Sequence, residues 1–404
     1  RQEQTISRFT LRFGKFKGVK HSALCAALAV PFVMPVTVWA QSLSEAVQIA
    51  LSQYPSILAA QSRVEAADYE ITRARSGHYP QLGWQGTNSV YSDVGPNPFG
   101  PEDTWIQSPT LNMNIWSGWR IQSDVDRAQA VHDTRRQQQS ITRDEVAFMV
   151  VEAYLNWMRT RELVVLAEQN LAAHERLTSD VRKIAQADQG RRIDIDQALV
   201  RTENARLSLE QRNAENQIFA QRLRRMLLGR LPQHPDGYQS IKGTLPKNTD
   251  QALAMLSDAH PVIAQQRAQI DAAEAAVLSA KSGFSPTVDL AYQRQTAQGT
   301  GQGDYIAQLN VRVPLFDGGS AYGATRSAYA ELEAAKQGLT EAKVTLRENL
   351  LSSWSEYLSA KQRAILGERQ VVNAVNLVKG YDQQFRVGRR SLLDLLTIQD
   401  NLYS

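Results

Sequence analysis

Cysteine is all but missing from this sequence: the single one, Cys25, lies within the first forty residues. The rest of the chain therefore has no disulfide, no thiolate nucleophile and no cysteine-held metal. Net charge is missing too. The first forty residues carry six of the 45 Lys and Arg and one of the 41 Asp and Glu, leaving 39 basic against 40 acidic residues. A nucleic-acid partner would need a basic surface, so that class of function is set aside. Beyond residue 40 there is no apolar run of eighteen residues, which excludes a transmembrane helix from that part. The six histidines (His21, His78, His132, His174, His234 and His260) are scattered, and none has a second His or Cys at ligand spacing. The glycine-rich GTGQGD, Gly299 to Asp304, sits between two strand patterns with no Lys-bearing helix after it, unlike a phosphate loop. No nucleophile motif is present either. Nothing here argues for an enzyme, and no cofactor or metal is expected.

What the first forty residues do contain is the layout of a secretory signal. Basic residues run from Arg8 to Lys20, an apolar stretch follows from Ala23 to Val36, and Val38, Trp39 and Ala40 form a small-x-small cleavage site. Cys25 follows Leu24, where a lipoprotein site would need a small residue, so it reads as signal and not as a lipid anchor. Residues 1–40 are expected to be removed, with the mature chain starting at Gln41. The sequence opens without Met and stops at Ser404 inside a helical pattern, and so reads as a fragment. An exported chain without a transmembrane helix is either soluble outside the cytoplasm or crosses an outer membrane as a β-barrel.

The mature part is written twice. A shift of 206 lays Pro55 on Pro261 and ARSGHYP (Ala74 to Pro80) on AKSGFSP (Ala280 to Pro286). After a loop six residues shorter in the second copy, a shift of 200 brings Ile115, Trp116 and Gly118 onto Leu315, Phe316 and Gly318. The same shift pairs Tyr154 with Trp354 and Trp157 with Tyr357. A shift of 198 then superposes the two GRR triplets, Gly190 to Arg192 on Gly388 to Arg390, and Asp196 on Asp394. The first repeat spans 41–240 and the second 241–404. The first is predicted to hold a helix, a strand pair at 80–91 and 104–116, a long helix over 119–189 and a return helix over 191–228. The second holds a helix, strands at 286–295 and 305–316, a long helix over 319–387 and a truncated return helix.

The strands are recognised by a period of two. Leu82, Trp84 and Val90 alternate with polar residues, as do Leu111, Met113 and Ile115, and in the second repeat Val288, Leu290 and Tyr292, then Leu309, Val311, Val313 and Leu315. Each strand has one greasy and one wet face, at a length of about ten residues that suits a tilted strand in a bilayer. The connecting segments, VGPNPFGPED and QGTGQGD, have the composition of hairpin tips. Two hairpins packed on a soluble core would also alternate. The helices weigh against a compact core: from Trp119 to Gln189 there is neither proline nor glycine, which gives a helix of about 106 Å. The predicted helix before the first strand and the one after Gly190 together match that length, so both would fit end to end beside it. Alanines at helical spacing, such as Ala324, Ala328 and Ala335, suit close packing in a wall one helix thick. A periplasmic helical rod without a pore explains the helices alone and stays open as the alternative.

Taken together, these residues resemble the TolC-type outer-membrane factors of Gram-negative efflux pumps and type I secretion systems. The resemblance covers essentially the whole mature chain and rests on LSEAVQIALSQYP, on SGHYPQL and SGFSPTV leading into the strands, on the VPLFDGG exit, and on the turns at Gly190 and Gly388. It implies an α+β membrane protein: a homotrimer whose protomers each give four strands to one 12-stranded β-barrel, continued by a long periplasmic α-helical barrel. It also implies a passive exit duct for protein secretion or small-molecule efflux, working with a periplasmic adaptor and an inner-membrane ABC or proton-driven transporter. By the same resemblance Trp116, Gly118, Pro314, Phe316, Gly318 and Gly319 form the hinges where strand hands over to helix. Gly190, Arg191, Arg192, Asp196, Phe385, Gly388, Arg389, Arg390 and Asp394 mark the periplasmic entrance, with Arg390 and Asp394 as its closing pair. Phe385 stands where some relatives have tyrosine and Thr397 where some have a second acid, a departure from a hydrogen-bonded latch and a doubled acidic ring. The GRR triplets and the DVRKIAQAD approach look more like secretion-linked members than drug pumps.

Overall fold

The computed structural model describes residues 42–89, 104–187, 189–232, 245–296 and 303–403. The expected signal segment, Val90, both hairpin tips and the junction of the two repeats lie outside the described residues. Helix α1 (Leu43–Gln53) opens on a capping box: the Ser42 hydroxyl accepts from the Glu45 amide, and the Glu45 carboxylate accepts from the Ser42 amide. The single helix expected before the first strand is broken at Tyr54, whose φ of −69° and ψ of 130° are extended. The cause is Pro55, which disfavours a helical residue before it and then starts α2 (Pro55–Arg75) at its first position. Strands β1 (Gln81–Ser89) and β2 (Thr104–Trp116) follow, then α3 (Arg120–Ala187), a 3-10 turn over Gln189–Arg191, and α4 (Arg192–Met226).

The second repeat runs α5 (Thr249–Ala254), α6 (Pro261–Lys281), β3 (Thr287–Thr296), β4 (Gly303–Arg312), α7 (Ser320–Arg386) and α8 (Leu392–Tyr403). β4 stops at Arg312, four residues before the expected end, because Pro314 lacks the amide the ladder would need. Among the described residues no helix is long and apolar enough to cross a membrane.

The strands form one antiparallel sheet in chain order. Gln81 lies opposite Asn112 in the first hairpin and Thr287 opposite Arg312 in the second, so shifts of 206 and 200 carry one register onto the other. β2 and β3 join the repeats, with Leu111 opposite Tyr292 and an irregularity between Asn114 and Trp116. One face carries the rows Leu82, Leu111, Tyr292 and Met113, Leu290, Leu309. The other carries Gln81, Asn112, Ala291, Gln308 and Asn114, Asp289, Asn310. Leu82, Trp84, Leu309 and Val311 on the apolar face are exposed, as they would be in a strand whose solvent is lipid.

At 68 and 67 residues, α3 and α7 are each about 100 Å long. α2 packs on the strand-proximal part of α3, where Asp68 meets His132 at 3.5 Å, and α4 packs on the distal part, where Thr160 meets Asn216 at 3.2 Å. α6 packs between α3 and α7, and α8 against the distal part of α7, so the columns form a single layer. A layer this thin buries little, and Val344, Leu358, Val371 and Val372 of α7 remain exposed in the protomer. Two apolar clusters pin it. At mid-height Ala46 and Ala50 of α1 meet Val146, Val150, Tyr154 and Trp157 of α3 and Leu223 of α4. At the distal end Leu177, Val181, Ala198, Phe385, Leu395 and Leu396 close together.

Candidate functional site

Sequence reasoning placed functional residues at both ends of the long helices, and the structure shows how each end is built. At the strand end, β2 finishes on Trp116, and the Ser117 hydroxyl accepts from the Ile121 amide at 3.3 Å to begin α3. Asp317 holds the matching place in the second repeat. Its carboxylate accepts from the Gly319 amide at 3.0 Å and the Ala321 amide at 2.6 Å, and the bond from Ala321 does most to hold it below the ordinary carboxyl range. Gly118, Gly318 and Gly319 are left-handed, with φ of 61°, 70° and 89°. The residue matching Gly319 is Trp119, left-handed at φ 70° despite its side chain, with its ring edge-on to Trp116 at 5.3 Å. Sequence reasoning missed Trp119, because no local signal marks an aromatic in a conformation that favours glycine. Pro314 lies between the end of β4 and this turn, and Phe316 is 90% exposed, the disposition of an aromatic at a membrane interface.

At the far end the two GRR triplets fold differently. Gly190 sits in the 3-10 turn that ends α3. Gly388 is left-handed, φ 74°, and α7 closes with the Arg389 amide donating to the Gln384 carbonyl at 2.8 Å. Arg191 joins the two turns: it pairs with Asp194 at 2.9 Å and lies 5.3 Å from the centre of the Phe385 ring. Phe385 itself is buried in the distal cluster. Arg390 stacks on Tyr381 at 4.4 Å, donates to Gln384 at 3.1 Å and reaches Asp394 at 3.6 Å. Arg192, Asp196 and Arg389 are exposed and form no ion pair among the described residues.

Behind this end lies a second device that the sequence did not reveal. His174 of α3 is buried, its Nε2 3.1 Å from an Asp400 oxygen on α8, and the other Asp400 oxygen lies 3.1 Å from Arg201 on α4. One carboxylate thus ties three helices. Burial pushes the imidazole below its ordinary pKa against the pull of Asp400, and its Nδ1 has no hydrogen-bond partner among the described residues. A lone histidine in a helical run has no spacing signal that would predict this.

A duplicated sheet is continued by a single layer of helices in which α3 and α7 are each near 100 Å, and the sequence matches the family model described as outer membrane efflux protein over residues 46–229 and 252–404. The chain belongs to that family. Its members are channels of the outer membrane of Gram-negative bacteria, and this one places its helical part in the periplasm. Among its relatives is the outer membrane efflux protein BepC of Brucella suis, 24% identical over 97% of this chain and 86% of that protein. Another is the proteases secretion protein PrtF of Dickeya chrysanthemi, 24% identical over 90% of this chain and 83% of that one. The fold is shared with the solved structure of CusC, with a TM-score of 0.77, 17% identity, and coverage of 89% of this chain and 86% of that one.

Proposed function

We propose that this outer membrane efflux protein is the passive exit duct of a tripartite export system. It works as a homotrimer, with an adaptor docked on its helical tips and an inner-membrane ABC or proton-driven transporter supplying energy. The observation that carries this is the sheet: four strands with an exposed apolar face, and with β1 and β4 each paired along one edge only. Open edges in lipid leave backbone groups without partners, and four strands cannot surround a pore. The duplication supplies a closure. If the β2–β3 junction is repeated between protomers, the pair Asn112 and Ala291 becomes Arg312 opposite Gln85 of the next copy, and three copies close twelve strands.

In this reading the left-handed turns at Gly118, Gly318 and Gly319 redirect the chain from barrel to tunnel. The tip residues, with Arg390 and Asp394 foremost, hold the periplasmic entrance shut. The cargo class is protein or small molecule; the relatives include one named for efflux and one for secretion of proteases. Single-channel conductance in a planar bilayer, with the oligomeric mass taken from the same detergent sample, tests the proposal. A steady pore from a trimer is expected. A water-soluble, non-conducting particle would overturn it in favour of a helical rod.

A further inference from the structure

Where the sheet meets the helices, a cavity of about 1240 Å³ opens between α2, α3 and the strands. Its sheet wall is formed by Gln81, Asn112, Asn114 and Asp289 of the wet face, with Met113 of the other face between Asn112 and Asn114, so the helical wall that completes it lies mainly on the side of the polar surface of the strands. That helical wall is rich in arginine. Arg120, Arg127 and Arg135 recur along one stripe of α3, and Arg63 and Arg73 come from α2. The acids nearby are already engaged: Glu70 by Arg73 at 2.6 Å, Asp124 by Arg120 at 3.6 Å and Ser279 at 2.8 Å, and Asp289 by Asn114 at 2.7 Å. Arg63, Arg127 and Arg135 are exposed and have no ion pair among the described residues. Antiparallel packing of α2 on α3, fixed by the contact of Asp68 with His132, brings Arg63 level with Arg135, and Arg127 lies about 12 Å along the axis from them.

The fold does not need this charge. At the positions of the second repeat that match Arg63, Arg127 and Arg135 stand Gln269, Ser327 and Ala335, and those matching Arg73 and Arg120 are Ser279 and Ser320. Among the matching helical positions only Glu331, in the place of Val131, is charged. The same wall is thus built twice, once basic and once nearly neutral. Like charges held side by side without partners cost stability unless something else uses them.

We propose that Arg63, Arg127 and Arg135 form an anion filter in the conduit just below the strands, favouring cargo that carries carboxylate or phosphate groups. The proposal rests on the duct reading. Guanidinium pairs with both oxyanions through two parallel hydrogen bonds, and a concave wall of one sign concentrates counter-ions along its length. In the trimer the filter would recur once per protomer around the axis.

The test writes the residues of the second repeat into the first, as Arg63→Gln, Arg127→Ser and Arg135→Ala together, with Arg127→Ser alone as a milder companion. A third protein with lysine at all three positions keeps the charge. Bilayer reversal potentials in a potassium chloride gradient, and current block by inorganic tripolyphosphate, are read on each. The expected result is a chloride-to-potassium permeability ratio above one that falls by about twofold or more in the triple variant, less in the single one, and persists with lysine. Tripolyphosphate block is expected to weaken in parallel. A conducting pore with the same ion preference and block in all four proteins would overturn the filter and leave the duct standing. Failure of every protein to form a pore would overturn the duct reading itself.

Discussion

Gly118 lies against Ser285 so closely that a Cβ on the glycine would sit 2.2 Å from the serine Cβ, whereas its counterpart Gly318 meets nothing within 4 Å in the protomer. Both are left-handed. Gly118→Ala therefore adds a steric overlap to a conformational strain of about 1 kcal/mol, while Gly318→Ala carries the strain alone. Thermal unfolding in detergent is expected to show a much lower midpoint for the first. Equal losses would mean that Gly318 meets a comparable neighbour in the assembly.

A second prediction concerns closure. Because Cys25, the one cysteine in the sequence, lies in the expected signal, introduced cysteines give clean cross-links in a chain that starts at Gln41. Gln85→Cys with Arg312→Cys is expected to yield oxidant-dependent oligomers in SDS gels that collapse on reduction. Leu82→Cys with Arg312→Cys, out of register and on opposite faces, serves as the control. Equal cross-linking of both would rule out the repeated junction.

The distal lock should respond to acid. Burial sets the folded pKa of His174 below its ordinary value of 6.5, so the unfolded state binds the proton more readily. Stability from the neutral histidine is complete above that value and is lost as pH falls through the folded pKa. Amide-exchange protection factors over 170–204, which remove the intrinsic pH dependence of exchange, are expected to fall on acidification, and His174→Gln to flatten that dependence. A profile unchanged by the substitution would show that another group titrates.

At the proposed entrance, Arg390→Ala with Asp394→Ala removes an exposed pair and the stacking on Tyr381, and surface ion pairs are individually weak. A modest rise in single-channel conductance is expected. Arg191→Ala breaks both the Asp194 pair and the contact with Phe385 across the two turns, so the rise should be larger. If neither changes conductance, the tips do not close the pore.

Much of this architecture is legible in the residues because it is written twice. Alternation marks the strands, and the matching glycines mark the left-handed turns that follow them. What stayed hidden depends on contacts between distant segments. Trp119 adopts a glycine-like backbone beside Trp116, and nothing in its neighbours in sequence announces that. Identical GRR triplets make different turns, and the positions that precede them differ: Phe385, buried in the distal cluster, is matched by Ala187 in the first repeat. His174 finds its partner Asp400 226 residues away on α8, and the same carboxylate pairs with Arg201 of α4. The end of β4 was misplaced because alternation continues past Pro314 while hydrogen bonding cannot.

The unbroken run of α3 has a mechanical consequence. A rod of about 100 Å with no proline or glycine to absorb bending acts as a lever, so one degree of rotation about Gly118 displaces the far end by about 2 Å. That is comparable to the contacts among Arg191, Phe385 and Asp194, which need move no further than this to part. In the proposed duct, small adjustments at the strand end of α3 are thereby magnified at the distal turns, and a partner gripping those turns would in turn feel the set of the sheet.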